Sequence, residues 1–174
     1  MEFSKVLSLR QSVRAFTNEP LTQTQIDMLL AAANAAPTCM GRFERLHLTV
    51  VENKAVLEEL NTLFQKTVGD PSALPTYGAP VLIFVSNSLE DEEIIYGANA
   101  SCVMENMLLS AADQGLAGVY LFGISQALQG QERVAQLLHL PEGFRTVSAV
   151  AVGHPAQPLD PRPAALDKIT VNRV

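Results

Sequence analysis

Two arginines and a hydroxyl near the start of the chain have the residue types needed to bind an anion. Arg10, Ser12 and Arg14 occur together in the stretch "LRQSVRAF". A guanidinium group matches two oxygens of a phosphate at once, and a hydroxyl adds a further hydrogen bond. If the segment were helical, residues four apart would lie on one face. The alternative interpretation is a solvated basic patch, because arginines are mostly exposed in proteins.

The distribution of charge fits one small anion better than a nucleic acid. The chain of 174 residues has 12 basic and 18 acidic side chains and a formal net charge of −6. This acidity disfavours general binding of nucleic acids. Five basic residues nevertheless fall within the first 45 positions, against four acidic ones. This local surplus is consistent with a single anionic ligand.

Catalytic side chains in a recognisable arrangement are scarce. The sequence has no Walker phosphate loop, no GxGxxG motif and no GxSxG elbow. Cys39 and Cys102 lack the spacing of a zinc site or a disulfide framework, and no metal site is expected. We interpret Glu105, Asp113 and His47 as structural residues. Two explanations are left open: the chain only binds a ligand, or a cofactor supplies the chemistry.

The elements that position these residues are expected to form one mixed α+β domain over residues 1–174. Hydrophobic residues make up 48% of the chain and charged residues 17%, which favours a packed core over disorder. Apolar runs and helical periodicity predict four strands and about five helices. The predicted strands are 46–52, 81–86, 115–123 and 146–153. The predicted helices are 2–9, 21–37, 54–68, 91–114 and 131–140, followed by an extended tail at 154–174.

The helix predicted over 91–114 is the central one. At 1.5 Å per residue it would be roughly 35 Å long. Its second half is apolar on most sides, which is typical of a helix buried by its own domain or by a second subunit. Small residues in "GANASC" at 97–102 allow another backbone to approach closely. Two earlier helices carry start signals, a Thr22–Gln25 capping box and Asn53.

An ordered set of segments resembles the FMN-dependent nitroreductase family over nearly the whole chain. The segments are "LRQSVRAF", "AAANAAPT", "YGAPVLIFV", "ENMLLSAADQGLAGVYLFG", "LLHLPEGFRTVSAVAVGHP" and "DPRP". None is decisive alone, but their order is specific. The resemblance implies an α+β nitroreductase-like fold, with a central, mainly antiparallel sheet flanked by helices. It also implies a homodimer with FMN at the subunit interface.

The resemblance implies that basic residues near both ends of the chain bind the FMN phosphate. In the family, the first arginine-rich turn grips the phosphate and the ribityl chain. Carried over, Arg10 and Arg14 pair with the phosphate and Ser12 forms a hydrogen bond nearby. Arg162, in "DPRP", matches a late basic residue that returns to the phosphate. A phosphate carries nearly two negative charges, so two or three arginines complement it.

Two further groups are implied to approach the flavin ring. Pro37, Thr38 and Cys39 match a turn that family members donate from the other subunit. Phe122 and Gly123 match a strand end where backbone N–H groups approach flavin N5. Glycine suits this position, because the backbone must come close to a flat ring.

The sequence departs from the family pattern at two places in the implied flavin site. Gly41, still expected to contact FMN, stands where the family commonly has Asn, and "FER" at 43–45 replaces Gln-Pro-Trp. Leu74 stands where some members have a lysine near the ring. A positive charge there stabilises the anionic reduced flavin, so its loss alters the reduction potential. Arg42 and Arg45 are the candidate substitutes.

The function implied by the resemblance is that of an FMN-dependent oxidoreductase. NADH or NADPH passes a hydride to flavin N5 and leaves. A nitroaromatic, a quinone or a similar electron-poor acceptor then enters the same pocket. The flavin carries the chemistry, so no protein side chain is expected to act as a nucleophile.

Two other functions stay open. The first is a non-catalytic or degenerate flavin-binding module of the same fold, suggested by Gly41 and Leu74. The second is a structural or interaction domain unrelated to flavin. For each of them and for the oxidoreductase we expect a cytoplasmic protein that does not enter a membrane, since no signal sequence and no apolar run of ~18 residues is found.

Overall fold

Helical and extended segments alternate along the chain and build one sheet between two helical layers. The computed structural model describes residues 1–163, 165 and 167–174. Its α-helices are α1 (Phe3–Leu9), α2 (Gln23–Asn34), α3 (Lys54–Val68), α4 (Glu93–Asp113), α5 (Phe122–Leu128) and α6 (Glu132–Leu137). Its strands are β1 (Leu46–Val51), β2 (Val81–Ser88), β3 (Ala117–Leu121) and β4 (Phe144–Gly153). Two single 3₁₀ turns, Cys39–Gly41 and Phe43–Arg45, precede β1.

The strands of the described chain pair antiparallel in the order β1-β2-β4-β3. This confirms the expected α+β class and the antiparallel sheet. Strand β2 is buried along its whole length, which explains why its sequence is a continuous apolar run. Strands β1 and β3 form opposite edges of the sheet, three strand spacings or about 14 Å apart.

Each face of the sheet packs against its own hydrophobic core. On one face, α2 and α4 cover the sheet, and Met104 and Met107 of α4 are fully buried. On the other face, α3 and α5 pack against Phe84 of β2, with Leu60 and Ile124 as buried contributors. The long central helix predicted near 91–114 is confirmed as α4, which has 21 residues.

The predicted helix starts are also confirmed. The Thr22 hydroxyl accepts a hydrogen bond from the Gln25 backbone N–H, and the Gln25 side chain accepts one from the Thr22 backbone N–H. The side chain of Asn53 accepts from the N–H groups of Ala55 and Val56 at the start of α3. These caps pair backbone donors that have no partner inside the helix.

The prediction of one strand over 115–123 is wrong at its C-terminal end. Strand β3 ends at Leu121, and α5 begins at Phe122. Ile124 and Leu128 are both buried in the second core. Because they are four residues apart, a helix places both on its buried face. Phe122 and Gly123 are therefore the first residues of a helix and not the end of a strand.

The N-terminal segment after α1 is held between β3 and the tail. It is extended, and Ser12 forms a parallel bridge with Gly118 of β3. On its other side, the Thr17 N–H donates to the carbonyl oxygen of His154, and the Ala156 N–H donates to that of Ala15. The predicted domain and tail include residues 164 and 166, which lie outside the described residues.

Candidate functional site

Two of the predicted basic residues meet where the tail crosses the end of α1. The Arg162 guanidinium donates a hydrogen bond of 2.6 Å to the carbonyl oxygen of Arg10. The Arg162 backbone N–H donates to the carbonyl oxygen of Ser8 at 2.9 Å. Nε of Arg10 lies 3.2 Å from a carboxylate oxygen of Glu105 on α4. Arg10 and Arg162, which are 152 positions apart in the sequence, therefore lie next to each other in the fold.

Ser12 lies further along the same segment, against β3. The neighbouring Val13 N–H donates to the carbonyl oxygen of Gly118 at 3.0 Å. A Cβ atom at Gly118 would lie 2.7 Å from Cδ2 of Leu108 and 3.3 Å from the carbonyl oxygen of Ala151. The glycine at 118 thus allows α4 and β4 to approach β3 closely, and the bridge to Gly118 holds Ser12 at the sheet edge.

Arg14 lies beside a cavity and not beside Arg10. On an extended segment, four residues span about 13 Å, so the helical spacing considered from the sequence does not apply. The Arg14 guanidinium carbon is 5.7 Å from the centre of the Tyr77 ring, within cation–π range. Tyr77 lines a cavity of about 280 Å³, together with Leu74, Phe122 and Gly123. The segment therefore runs from the Arg10–Arg162 pair to this cavity, which we call the β3 cavity.

Phe122 and Gly123 bring backbone donors to the β3 cavity. They open α5, and the first N–H groups of a helix have no partner within it. The preceding residue, Leu121, forms no side-chain cap in the described chain. A Cβ atom at Gly123 would meet no described atom within 4 Å. The backbone at the mouth of the cavity is therefore open to a flat ligand.

The other predicted residues lie in the 37–41 turn, away from this group. The turn precedes β1, at the sheet edge opposite β3, and contains Pro37, Thr38, Cys39 and Gly41. The backbone N–H of Cys39 donates to Oδ1 of Asn99 on α4 at 2.8 Å. Within one chain, the residues of the 37–41 turn therefore lie apart from those beside the β3 cavity. Sequence reasoning did not identify Asn99, whose only signal was an amide within the small-residue stretch of 97–102.

Arg45, one candidate for the missing lysine, is engaged elsewhere. Its guanidinium pairs with the carboxylate of Glu90 and donates to the Ser88 hydroxyl. The hydrogen bond to Glu90 is the main cause that raises the pKa of Arg45 above its usual value. Leu74 forms an apolar part of the β3 cavity wall, and Arg14 lies over Tyr77 of the same wall.

Among the described residues, His, Cys, Asp and Glu side chains form no group that could hold a metal ion. No helix of the described chain has the length and apolar character needed to span a membrane. A larger cavity of about 640 Å³ lies between the start of α3 and the loop before β2. None of the predicted site residues lines it.

A family model described as "Nitroreductase family" matches residues 7–154. An FMN reductase (NADPH) from Bacillus subtilis is 26% identical in an alignment of 180 positions that covers 93% of this chain and 71% of that protein. An oxygen-insensitive NADPH nitroreductase from Salmonella typhimurium is 25% identical in an alignment of 177 positions that covers 97% of this chain and 72% of that protein.

Solved structures share the fold over the whole length. A nitroreductase with bound FMN from Bacteroides fragilis superposes with a TM-score of 0.83 and 25% identity, covering 99% of this chain and 100% of that one. A nitroreductase with bound FMN from Desulfitobacterium hafniense gives a TM-score of 0.85 at 23% identity, with the same coverages.

Proposed function

Since the chain belongs to the nitroreductase family, we propose that it binds FMN and transfers electrons from NADH or NADPH to a small electron-poor acceptor. Nitroaromatics and quinones are the proposed acceptor classes. The Bacteroides fragilis relative with bound FMN and the Bacillus subtilis FMN reductase support the cofactor. The observation that carries the proposal is the extended segment that joins the Arg10–Arg162 pair to the β3 cavity.

This geometry suits an elongated ligand with an anion at one end and a flat ring at the other. We propose that Arg10 and Arg162 bind the phosphate, with Ser12 beside the sugar-like chain. Arg14 then lies near the ring, which occupies the β3 cavity beside the open N–H groups of Phe122 and Gly123. FMN bound there would accept and donate a hydride, while the protein binds and orients the ring.

The charge and the volume that a single chain provides at this site match part of an FMN molecule. Glu105 already holds the Arg10 side chain, which is about one-third exposed, so its guanidinium is oriented before the phosphate arrives. The β3 cavity of about 280 Å³ lies just below the roughly 300–1,000 Å³ of ordinary ligand pockets. We propose that the 37–41 turn of a second subunit completes it, so that the functional unit is a homodimer.

Exposed apolar side chains beside α4 support this proposed dimer. Phe3 of α1 is 64% exposed and Ile94 of α4 is 80% exposed, and α1 packs beside α4. Gly97 of α4 has no described atom within 4 Å of an added Cβ, so another backbone can approach α4 there.

Gly97→Leu is expected to keep the fold and weaken the dimer by at least about tenfold. Leucine is the better helix former, by roughly 0.8 kcal/mol, but its side chain would separate the two backbones. Sedimentation equilibrium measures the dimer dissociation constant, and Gln126→Leu, at an exposed position of α5, is the matched control. Equal dissociation constants for the two variants would contradict the placement of α4 at the interface.

Two observations support a reducing, cytoplasmic location for the proposed enzyme. Cys39 and Cys102 are exposed and form no disulfide, as is usual where thiols stay reduced. The proposed donors, NADH and NADPH, are intracellular molecules.

The proposal is tested first by spectroscopy and then by turnover. The purified protein is incubated with FMN and desalted, and its flavin absorption is compared with the protein concentration. About one flavin per chain is expected, followed by oxidation of NADH or NADPH when a nitroaromatic or a quinone is added. A protein that retains no FMN would refute the flavin site.

Leu74 gives specific support to a second candidate, a flavin-binding module without turnover. It places an apolar side chain in the cavity wall where some family members have lysine. A protein that retains FMN but oxidises neither nicotinamide in the assay above would favour this alternative.

Leu74→Lys is expected to raise the reduction potential of bound FMN by about 20 mV. A partly exposed charge contributes roughly 1 kcal/mol, and 30 mV corresponds to about 1.4 kcal/mol for two electrons. Spectroelectrochemical titration measures the potential, with Leu74→Met as the uncharged control. A shift shared by both variants would show that charge is not the cause.

A further inference from the structure

Asn99 is a buried polar residue on an apolar stretch of α4. Its side chain is 4% exposed, among neighbours such as Ala100 and Val103 that are also buried. An amide in such surroundings destabilises the fold unless it forms a hydrogen bond. Its Oδ1 accepts the backbone N–H of Cys39 at 2.8 Å. The contact of this buried group is thus directed at the 37–41 turn.

This contact links the 37–41 turn to α4. Its internal bonds are short-range: the Gly41 N–H donates to the carbonyl oxygen of Thr38 at 3.1 Å. The buried hydroxyl of Thr38 has no hydrogen-bond partner among the described residues. Met40 adopts a φ of 56°, a left-handed conformation that is uncommon outside glycine. The hydrogen bond that the Cys39 N–H donates to Asn99 therefore connects a locally folded turn to the central helix.

No residue of the 37–41 turn lines the β3 cavity of its own chain. The turn leads into β1, whereas the β3 cavity lies at the opposite sheet edge, three strand spacings or about 14 Å across the sheet. We propose that Asn99 is a positioning residue that holds the 37–41 turn for the flavin site of the second subunit. This inference rests on the proposed function, since it requires a flavin site completed by a dimer.

Asn99→Ala is expected to weaken FMN binding by about three- to tenfold, the effect of one neutral hydrogen bond. Asn106→Ala is the matched control. Nδ2 of Asn106 donates to the carbonyl oxygen of Ala32 at 3.0 Å, so this variant also removes a hydrogen bond that α4 makes to another backbone. Asn106 lies two helical turns from Asn99 on α4, so Asn106→Ala should leave the FMN affinity at the wild-type value.

A mixed dimer distinguishes an effect of Asn99 on the partner's flavin site from a general loss of protein stability. Arg10→Ala and Asn99→Ala chains are co-expressed with different affinity tags, and the mixed dimer is purified by both tags. If Asn99 acts across the interface, one site has both defects and the other has neither. FMN titration should then show half of the sites with wild-type affinity, although both homodimers bind weakly.

The other outcomes would refute either this proposal or the proposed phosphate site. A mixed dimer in which no site reaches wild-type affinity would show that Asn99 acts within its own chain, and so would refute the inference. Wild-type affinity in the Asn99→Ala homodimer would refute it as well. Wild-type affinity in the Arg10→Ala homodimer would instead contradict the proposed phosphate site. Asn99→Leu, which has the same number of side-chain heavy atoms but no hydrogen-bonding group, repeats the test if the alanine variant does not fold.

Discussion

Arg10→Ala is expected to weaken FMN binding by about 10- to 150-fold. The guanidinium offers charge-assisted hydrogen bonds to a phosphate, and losing one such contact costs about 1.5–3 kcal/mol. The variant also leaves Glu105, now 3.2 Å from Nε of Arg10, without its cation. A carboxylate left near the phosphate adds repulsion, so the upper part of the range is expected at low salt.

Titration of the apoprotein with FMN, followed by flavin fluorescence, measures this effect. Arg133→Ala is the matched control, because Arg133 forms a two-pronged contact with Glu59 at 2.6 and 2.8 Å on an exposed surface. Removing it takes away the same group, with a stability change of at most about 1 kcal/mol. Equal FMN affinity in the two variants would refute the phosphate site.

Gly153→Ala is expected to destabilise the apoprotein by about 1–3 kcal/mol, the usual effect of overpacking. A Cβ at this position would lie 2.7 Å from Cδ of Pro80 and 3.0 Å from Cδ1 of Phe16. A proline ring cannot rotate away from such a contact. Phe16 forms the bridge with Pro155, so the variant also disturbs the junction of the N-terminal segment and the tail.

Urea unfolding of the apoprotein measures the free energy of unfolding. Gly123→Ala serves as the comparison, since the same methyl group meets no described atom within 4 Å there and should not lower stability. An unchanged midpoint for Gly153→Ala would show that Pro80 and Phe16 move apart freely. We expect FMN affinity to fall together with stability, because the same junction places Arg14 beside the cavity.

Regular periodicity and capping allowed most elements to be predicted from the sequence. The Thr22–Gln25 box marks the start of α2, and the apolar run at 81–86 marks a central strand, because local chemistry decides both. The end of β3 was not predictable in this way. Leu121, Phe122 and Ile124 continue an apolar run, and only packing against the second core turns it into α5.

The grouping of the candidate site residues was not predictable from the sequence. Arg10 and Arg14 looked like partners for one phosphate, but the extended segment separates them because Ser12 pairs with Gly118. Arg162 reaches Arg10 through the course of the tail, a long-range feature that no local pattern encodes. Asn99 was overlooked because its partner is a backbone N–H, which every residue type except proline possesses.

The proposed phosphate site needs both Arg162 and Arg10, so their pairing determines when during protein synthesis FMN could be taken up. The two residues are 152 positions apart, and contacts that close so long a loop form late in folding. A chain still attached to the ribosome cannot bring them together until residue 162 has left the exit tunnel. A ribosome stalled before that point is therefore expected to hold a chain that does not take up FMN.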